Sequence, residues 1–264
     1  MLKFQYASCA SQGARPYQED ASAVWPGDGA LVPKVDAQAP EGTALVAVLA
    51  DGMGGHAGGE LASTTICSTF LEHFLAAGGD GPGRLAPSLA AANLAGGAKV
   101  SANPSLAGMG ATLVGVTVGE GGLSWISVGD SPMYLYRNGE VVQINEDHSL
   151  APVIDRLAEQ GKISFEEARA DPRRHYLRSA VTGEEIELVD APERPLKIEP
   201  GDVVMLASDG IHTLEPDEIS ALITQGMARG PEVVASSLVG AVDAAGVPHQ
   251  DNTTVVVITV EQMA

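Results

Sequence analysis

The sequence predicts an α+β fold, a four-layer α-β-β-α sandwich in which helices flank two stacked antiparallel sheets. Most strand-like segments are near-continuously apolar, and a strand that is apolar on both faces must be covered on both faces. Short glycine-containing connections, such as Gly119–Gly122 and Asn138-Gly139, are typical of hairpins and therefore of antiparallel pairing. Helical patterns lie between these strands and supply the two outer layers.

The strands are predicted from short apolar runs bounded by turn residues. They are Leu45–Ala50, Ala111–Val118, Leu123–Val128, Met133–Arg137, Val203–Ser208 and Thr253–Val260. Two intervening stretches rich in Gly, Pro and Asp, Pro26–Gly42 and Gly78–Pro87, are predicted to be exposed loops.

The helices are predicted from helical spacing of apolar residues, or from alanine-rich composition. They are Glu60–Ala77, Leu85–Val100, Leu150–Gln160, Pro216–Met227 and Pro231–Ala245. Gly161 fits a C-cap, and Pro231 fits the first position of its helix.

Composition limits the classes of function. The chain has 264 residues, 45% of them hydrophobic, and a formal charge of −19, which argues against a broad nucleic-acid or anionic-membrane surface. No apolar run approaches a membrane span, and no signal peptide is recognisable at the N-terminus. Cys9 and Cys67 have neither metal-ligand nor redox-motif spacing. We therefore expect a cytoplasmic protein.

Four strand-like runs each carry an aspartate at one end. The pairs are Asp51-Gly52, Gly129-Asp130, Asp209-Gly210 and Asp251-Asn252. A single Asp-Gly is better explained as a turn, but four such aspartates beside buried runs are less easily explained in that way. Carboxylates gathered at one end of a core repel each other unless a cation lies among them. Hard oxygen donors, without a cysteine or histidine pair at ligand spacing, favour Mg²⁺ or Mn²⁺ over zinc.

Two neighbouring stretches fit the same site. Gly52 has no Cβ, so its carbonyl could approach a metal closely, and the glycines that follow would leave room for a substrate. Arg15, in "GARPYQEDA", could hold two phosphate oxygens with its guanidinium. On this segment alone, a salt bridge from Arg15 to the nearby acids is an equally good interpretation.

The motifs resemble the metal-dependent protein Ser/Thr phosphatases of the PP2C (PPM) type, in their bacterial form. The blocks that carry the resemblance occur in family order from about residue 9 to 260: "GARPYQEDA", "LADGMGGHAGGELAS", "GMGATLVGV", "SVGDSPMYLYRNG", "DHSL", "ASDGI" and "QDNTTVVV". The resemblance implies one domain over residues 1–264, a binuclear Mn²⁺ or Mg²⁺ centre, a third ion in some members, and hydrolysis of phosphoserine and phosphothreonine.

The resemblance also assigns roles to individual residues. Asp51 would bridge the two ions and Gly52 would ligate through its carbonyl, while Asp209 and Asp251 would complete the shell of the first ion. The resemblance also gives roles to residues around these ligands. Asp130 would help to hold a third ion, Asp20 would hold a metal-bound water, and Glu19 is a weaker ligand candidate. Arg15 would bind the substrate phosphate, and Asn252 would orient the neighbours of Asp251. The expected reaction is in-line attack by a metal-bridging hydroxide, without a phospho-enzyme.

Three positions depart from the family pattern. Pro132 replaces the arginine of "GDSR", and Gln18 replaces the asparagine of "RxxNED". Met53 stands where animal-type members have a histidine proposed as general acid, so a metal-bound water is expected to protonate the leaving group. His56 could contribute, although a loop-packing role fits better, and His148 is interpreted as structural.

Residues 147–183 resemble the family's small flap subdomain. Its arginines, Arg173, Arg174 and Arg178, could meet acidic or phosphorylated partners, but solvated flap charges are the simpler interpretation. The expected partners are phosphorylated proteins, including a Ser/Thr kinase, and the chain is expected to be a monomer. Two alternatives remain: a SpoIIE-like phosphatase of an anti-anti-sigma factor, which generally lacks this flap, and a pseudophosphatase, which normally lacks a metal ligand. A calcium-binding module is disfavoured because no EF-hand loop is present.

Overall fold

A computed structural model of the chain describes residues 1–27, 29–32, 42–54 and 57–263. Ten strands form two antiparallel sheets. The first sheet has the order β1-β10-β9-β7-β8 and the second has the order β2-β3-β5-β6, with β4 paired to β3. The strand bounds are β1 Leu2–Ser11, β2 Asp20–Trp25, β3 Leu45–Met53, β4 Gly110–Ala111, β5 Leu113–Gly119, β6 Gly122–Val128, β7 Met133–Arg137, β8 Glu140–Gln143, β9 Val203–Ala207 and β10 Thr253–Gln262.

The described residues form six α-helices, four of which cover the sheets. Their bounds are α1 Ala57–Ala76, α2 Gly81–Ala102, α3 Ala151–Glu159, α4 Phe165–Ala170, α5 Pro216–Gly226 and α6 Pro231–Ala245. Helices α1 and α2 cover the second sheet, and α6, together with α5, covers the first. The polypeptide therefore has the four layers that the sequence predicts.

The apolar strands have the two-sided burial that this layering requires. In β3, Val46, Val48 and Ala50 pack towards α1 and α2, and the alternate residues Leu45 and Leu49 pack between the sheets. The central layer is completed by residues of β5, β9 and β10. Because successive side chains of a strand point to opposite faces, a strand in this position has no polar face. The continuous apolar runs are the consequence.

Both predicted hairpins are confirmed. Gly119 pairs with Gly122 at the end of β5 and β6, and Arg137 pairs with Glu140 across the turn between β7 and β8. In the second turn, Asn138 and Gly139 have φ values of 54° and 86°. Two consecutive left-handed residues are typical of the type I′ turn that the Asn-Gly dipeptide favours.

The prediction that Gly78–Pro87 is a loop is wrong from Gly81 onwards, where α2 begins. Asp80 is the N-cap of this helix, and its side chain accepts a hydrogen bond from Gly83 N at 2.9 Å. The Asp-Gly-Pro sequence therefore starts a helix. Proline fits the first turn because the backbone N–H groups of that turn have no partner within the helix, so the missing N–H of proline costs no hydrogen bond. Most of the predicted loop Pro26–Gly42 lies outside the described residues.

Three strands were not predicted, β1, β2 and β8. Strands β1 and β8 are edge strands of the first sheet, so they are only partly buried and their sequences mix polar and apolar residues. Strand β2 begins at Asp20, inside the motif "GARPYQEDA", for which the sequence predicts a role in the site but no secondary structure.

The predicted flap segment contains α3 and α4, which pack on each other through Ile154, Ala158 and Ala168. Helix α4 was not predicted, although it begins with a capping box between Ser164 and Glu167. Among the described residues, no helix combines the length and hydrophobicity of a membrane span.

Candidate metal and phosphate site

The fold brings the predicted aspartates together at one edge of the sandwich. Asp51, Asp130, Asp209 and Asp251 line one cavity of about 780 Å³, which is also lined by Arg15, Glu19 and Gly52. The second sheet contributes Asp51 and Asp130, while Asp209 and Asp251 flank β9 and β10 of the first. Asp20 pairs directly with Asp51 across β2 and β3. The cavity thus forms only where the two sheets meet.

The strand ends differ from the prediction at two of these positions. Strand β3 continues past Ala50 to Met53, so Asp51 lies inside a strand and not at its end. The predicted strand Ala111–Val118 is interrupted at Thr112, between β4 and β5. The interruption is used by the site, because the Thr112 hydroxyl accepts a hydrogen bond from Asp51 N at 2.9 Å.

The carboxylates are buried close to one another without enough positive charge. Burial raises the pKa of Asp51 well above its ordinary value, and the charges of Asp20, Asp209, Asp130 and Asp251 raise it further. Burial likewise raises the pKa of Asp20 to about 6 and that of Asp130 to about 7, and it raises the pKa of Asp209. The site therefore has an electrostatic cost that a bound cation would relieve.

Buried oxygens without partners point to the same missing charge. Oδ1 of Asp20, Oδ1 of Asp209 and Oε1 of Glu19 are each buried without a hydrogen-bond donor. Among the described residues, no three acidic, histidine or cysteine side chains are grouped so that they could hold a metal ion by themselves. Mg²⁺ and similar hard cations bind proteins through one or two carboxylates and keep several waters, so an open set of oxygens suits them. The residues fit a divalent cation.

Arg15 forms a salt bridge in this structure, but its partner is Asp251 and not one of the nearby acids, Glu19 and Asp20, that the salt-bridge interpretation names. The guanidinium Nη2 donates to Asp251 Oδ2 at 2.5 Å, and this bond raises the pKa of Arg15. Asn252 holds the segment that carries Arg15: its amide donates to Gln12 O at 2.8 Å and to Tyr17 O at 3.0 Å. The same side chain accepts from Glu19 N at 2.8 Å. This supports the prediction that Asn252 orients the neighbours of Asp251.

Two glycines allow close packing beside the acids. A Cβ on Gly52 would collide with the carbonyl oxygens of Gly59 and Glu19, and a Cβ on Gly59 would collide with the Glu19 carboxylate. The space beside these two glycines is thus filled by the start of α1 and by Glu19. For Gly59, this differs from the substrate space expected from sequence. Gly55 and His56 lie outside the described residues.

Sequence reasoning missed the hydroxyl groups that lie beside the aspartates. Ser208 Oγ donates to Asp20 Oδ2 at 2.7 Å, and Thr112 Oγ1 lies 2.7 Å from Ser131 Oγ in the turn after Asp130. These residues lie in or beside the quoted motifs, so adjacency to the aspartates was an available signal. Which hydroxyl reaches which carboxylate depends on sheet register, which the sequence did not provide.

The positions that depart from the family pattern have local roles. Gln18 accepts from Asp20 N at 3.0 Å and donates to Ser11 O at 3.2 Å, so it fixes the start of β2. Pro132 presents its carbonyl to Ala207 N at 3.0 Å. His148 is buried, and its Nδ1 lies 3.3 Å from Gly129 N, which supports the structural interpretation. Met53 lies in β3 and lines the cavity.

Comparison with known proteins agrees with the motifs and the fold. Residues 34–235 match the family model described as protein phosphatase 2C. The chain is 36% identical over 222 residues to the serine/threonine protein phosphatase PstP of Mycobacterium tuberculosis, covering 82% of this chain and 40% of PstP. The match covers most of this chain. The chain belongs to the protein phosphatase 2C family.

Solved structures extend the similarity over the whole fold. A crystal structure of M. tuberculosis PstP superposes with a TM-score of 0.76 at 31% identity, covering 98% of this chain and 99% of that one. A second, of the PstP catalytic domain in complex with two manganese ions, gives a TM-score of 0.75 at 31% identity and covers 99% and 100% of the two chains. The predicted fold class and family are therefore confirmed. In length, the chain spans about two fifths of the full PstP sequence.

Proposed function

We propose that this protein is a metal-dependent phosphatase that hydrolyses phosphoserine and phosphothreonine on proteins. The observation that carries the proposal is the group of buried carboxylates, too weakly compensated by positive charge, that surrounds Arg15 in one cavity. The relatives named above are Ser/Thr protein phosphatases, and one of their structures contains two manganese ions.

Two divalent cations, Mn²⁺ or Mg²⁺, are the proposed cofactors. Asp51, Asp209, Asp251 and the carbonyl of Gly52 would hold them, with Asp20 acting through water. Asp130 lines the same cavity and would help to hold a third ion. When bound, such ions lower the pKa of water and neutralise negative charge on a phosphoryl group.

Phosphate binding is assigned to a side chain of the protein, Arg15. Arg15 is the cation of the cavity that lies beside the acids, and its planar guanidinium is suited to two oxygens of a phosphate. Asn252 positions it by fixing the backbone on both sides of residue 15. Neither cysteine suits a covalent route, because burial strongly raises the pKa of Cys67 inside α1 and Cys9 lies in β1. Direct attack of water on phosphorus is therefore the proposed reaction.

Further parts of the proposal rest on sequence and family. Residues 1–264 form one phosphatase domain with residues 147–183 as its flap. The protein acts as a cytoplasmic monomer on phosphorylated proteins, including a Ser/Thr kinase and its substrates. Helices α3 and α4 in the flap segment argue against the SpoIIE-like alternative, whose members generally lack this element.

The test measures metal-dependent hydrolysis. Asp51→Ala and Asp209→Ala should each lower kcat on p-nitrophenyl phosphate with Mn²⁺ by about a hundredfold or more, because each removes a carboxylate proposed to hold the cations. Glu159→Ala, at the exposed end of α3, is the matched control and should retain wild-type turnover.

A thermal-unfolding measurement accompanies the assay. Mn²⁺ at about a hundred times its Kd should stabilise the wild type by about 2.7 kcal/mol, and this gain should be lost in Asp51→Ala. Near wild-type hydrolysis by either aspartate variant would refute the proposal.

A further inference from the structure

Part of the cavity lining comes from one continuous segment, residues 175–187, which we name the rim. Residues that line the cavity from this segment include His175, Tyr176, Arg178, Glu185 and Glu187. The rim follows the flap helices and lies on the same cavity as Arg15 and Asp51. A protein segment whose phosphate reached Arg15 would therefore also contact the rim.

The rim is held in place by backbone hydrogen bonds at its first half. Tyr176 O accepts from Leu150 N at 2.9 Å, and Arg178 N donates to His148 O at 2.8 Å. This short paired segment is extended, and in an extended chain every second side chain points to the same side. The side chains of residues 176 and 178 therefore lie on the same side of the segment.

The second half of the rim is held by helix α2. Asn93 donates to Glu184 O at 2.7 Å and accepts from Gly183 N at 2.8 Å. The base of the rim is closed by Ser179, whose hydroxyl donates to Leu188 O and accepts from Leu188 N. The backbone is thus fixed without using the side chains of Glu185 and Glu187.

The side chains that the rim presents are exposed and available. Tyr176 is 62% exposed, and Glu185 and Glu187 are both exposed. In the described part of the chain, neither glutamate has an ion-pair partner, whereas Arg173 and Arg174 of the flap pair with Asp171 and Asp155. The rim therefore presents two carboxylates without an ion-pair partner among the described residues, together with one arginine, Arg178, to whatever enters the cavity.

We infer that the rim makes the phosphatase selective for phosphorylated segments that carry a basic residue beside the phosphoserine or phosphothreonine. The inference rests on the proposed function and specifies its substrate class. The catalytic acids act on the phosphoryl group, which all substrates share, so they cannot distinguish flanking residues. Glu185 and Glu187 are placed to do so, and Tyr176 offers an aromatic face to a lysine or arginine side chain.

The test compares phosphothreonine peptides that differ only in the flanking residues, arginine or glutamate, and measures kcat/KM by phosphate release. We expect the wild type to favour the arginine peptide by about fivefold or more, since two exposed charge pairs each contribute a few tenths to about 1 kcal/mol. In Glu185→Gln/Glu187→Gln the ratio should fall about threefold or more.

A matched control separates local contact from overall charge. Glu184→Gln/Glu193→Gln removes the same charge from exposed positions that do not line the cavity, and it should keep the wild-type ratio. Raising the salt concentration from about 0.05 to 0.5 M should also shrink the wild-type preference, because exposed charges are screened.

Three results would overturn the inference: no preference in the wild type, a preference for the glutamate peptide, or an equal loss of preference in both double variants. Each of these three results can be obtained only if p-nitrophenyl phosphate and the peptides are hydrolysed. The rim inference would then fail while the proposed function remained supported. If the wild type hydrolysed none of them with Mn²⁺ present, the proposed function and the rim inference would both fail.

Discussion

Replacing one acid of the site should stabilise the metal-free protein. Asp20 is 8% exposed, accepts a hydrogen bond from Ser208, and has a second oxygen without a donor. An asparagine in its place keeps an oxygen for the Ser208 hydroxyl and removes a buried negative charge beside Asp51. Asp20→Asn should therefore raise the free energy of unfolding when no divalent cation is present.

The magnitude follows from the pKa of Asp20. Burial raises it from an ordinary value of about 3.9 to about 6 in the folded protein. Each pKa unit corresponds to about 1.36 kcal/mol, so ionised Asp20 costs the folded state up to about 3 kcal/mol at pH 7.5. Allowing the cavity to relax, we expect Asp20→Asn to gain about 1–3 kcal/mol, or a rise in Tm of about 2–10 °C.

The sign of the pH dependence is fixed by the same shift. Because the folded-state pKa is raised, the folded protein binds more protons than the unfolded chain between about pH 4 and 6, and wild-type stability falls as pH rises through this window. The advantage of Asp20→Asn should be full at pH 7.5 and should shrink towards zero as pH approaches 4. Urea unfolding in EDTA at several pH values measures both quantities.

A second buried aspartate provides the control. Asp202 is 2% exposed, but it accepts from Arg137 Nε at 2.8 Å and Nη2 at 2.7 Å and from Glu199 N at 2.7 Å. Asp202→Asn breaks a paired charge, so it should destabilise the protein by about 2 kcal/mol or more. If Asp20→Asn also destabilised the metal-free protein at pH 7.5, the electrostatic account of the site would be wrong.

Two other substitutions test how the site is packed. Gly52→Ala should lower the free energy of unfolding by about 3 kcal/mol in urea titrations, because the new Cβ meets backbone oxygens of Gly59 and Glu19. Gly121→Ala, where a Cβ meets open space, is its near-neutral control. Asn252→Ala should lower kcat/KM on p-nitrophenyl phosphate about tenfold by releasing the Arg15 segment. An unchanged kcat/KM would show that Arg15 needs no such support.

Much of the fold was predictable because burial controls hydrophobic patterning in a four-layer sandwich. Strands between two layers carry apolar residues on both faces, and these strands were found with small errors at their ends. Strands β1 and β8 were missed because an edge strand is only half buried and its sequence resembles a loop. The start of α2 was missed because Asp80-Gly81-Pro82 fits a turn and a helix N-terminus equally well.

The site was predictable as a set of residues but not as a set of contacts. Aspartates at or near the ends of buried strands converge wherever those strands share one edge, and this rule predicted that Asp51, Asp130, Asp209 and Asp251 lie close together, although Asp51 lies inside β3 and not at its end. Register decides the rest: only the alignment of β2 with β3 pairs Asp20 with Asp51. The rim shows the same limit, because its position on the cavity depends on Asn93 in a distant helix.

The separation of core and site explains how the chain tolerates so many unpaired acids. The apolar layer that includes Leu49, Leu206 and Val256 holds the two sheets together. The acids lie at the edge of this layer, where Asp51 and Asp130 come from one sheet and Asp209 and Asp251 adjoin the other. A cation held between them would bind only when the sheets are stacked, so its binding free energy would add to the stability of the fold. The repulsion that weakens the metal-free protein is therefore the same interaction that would make the site bind a cation tightly.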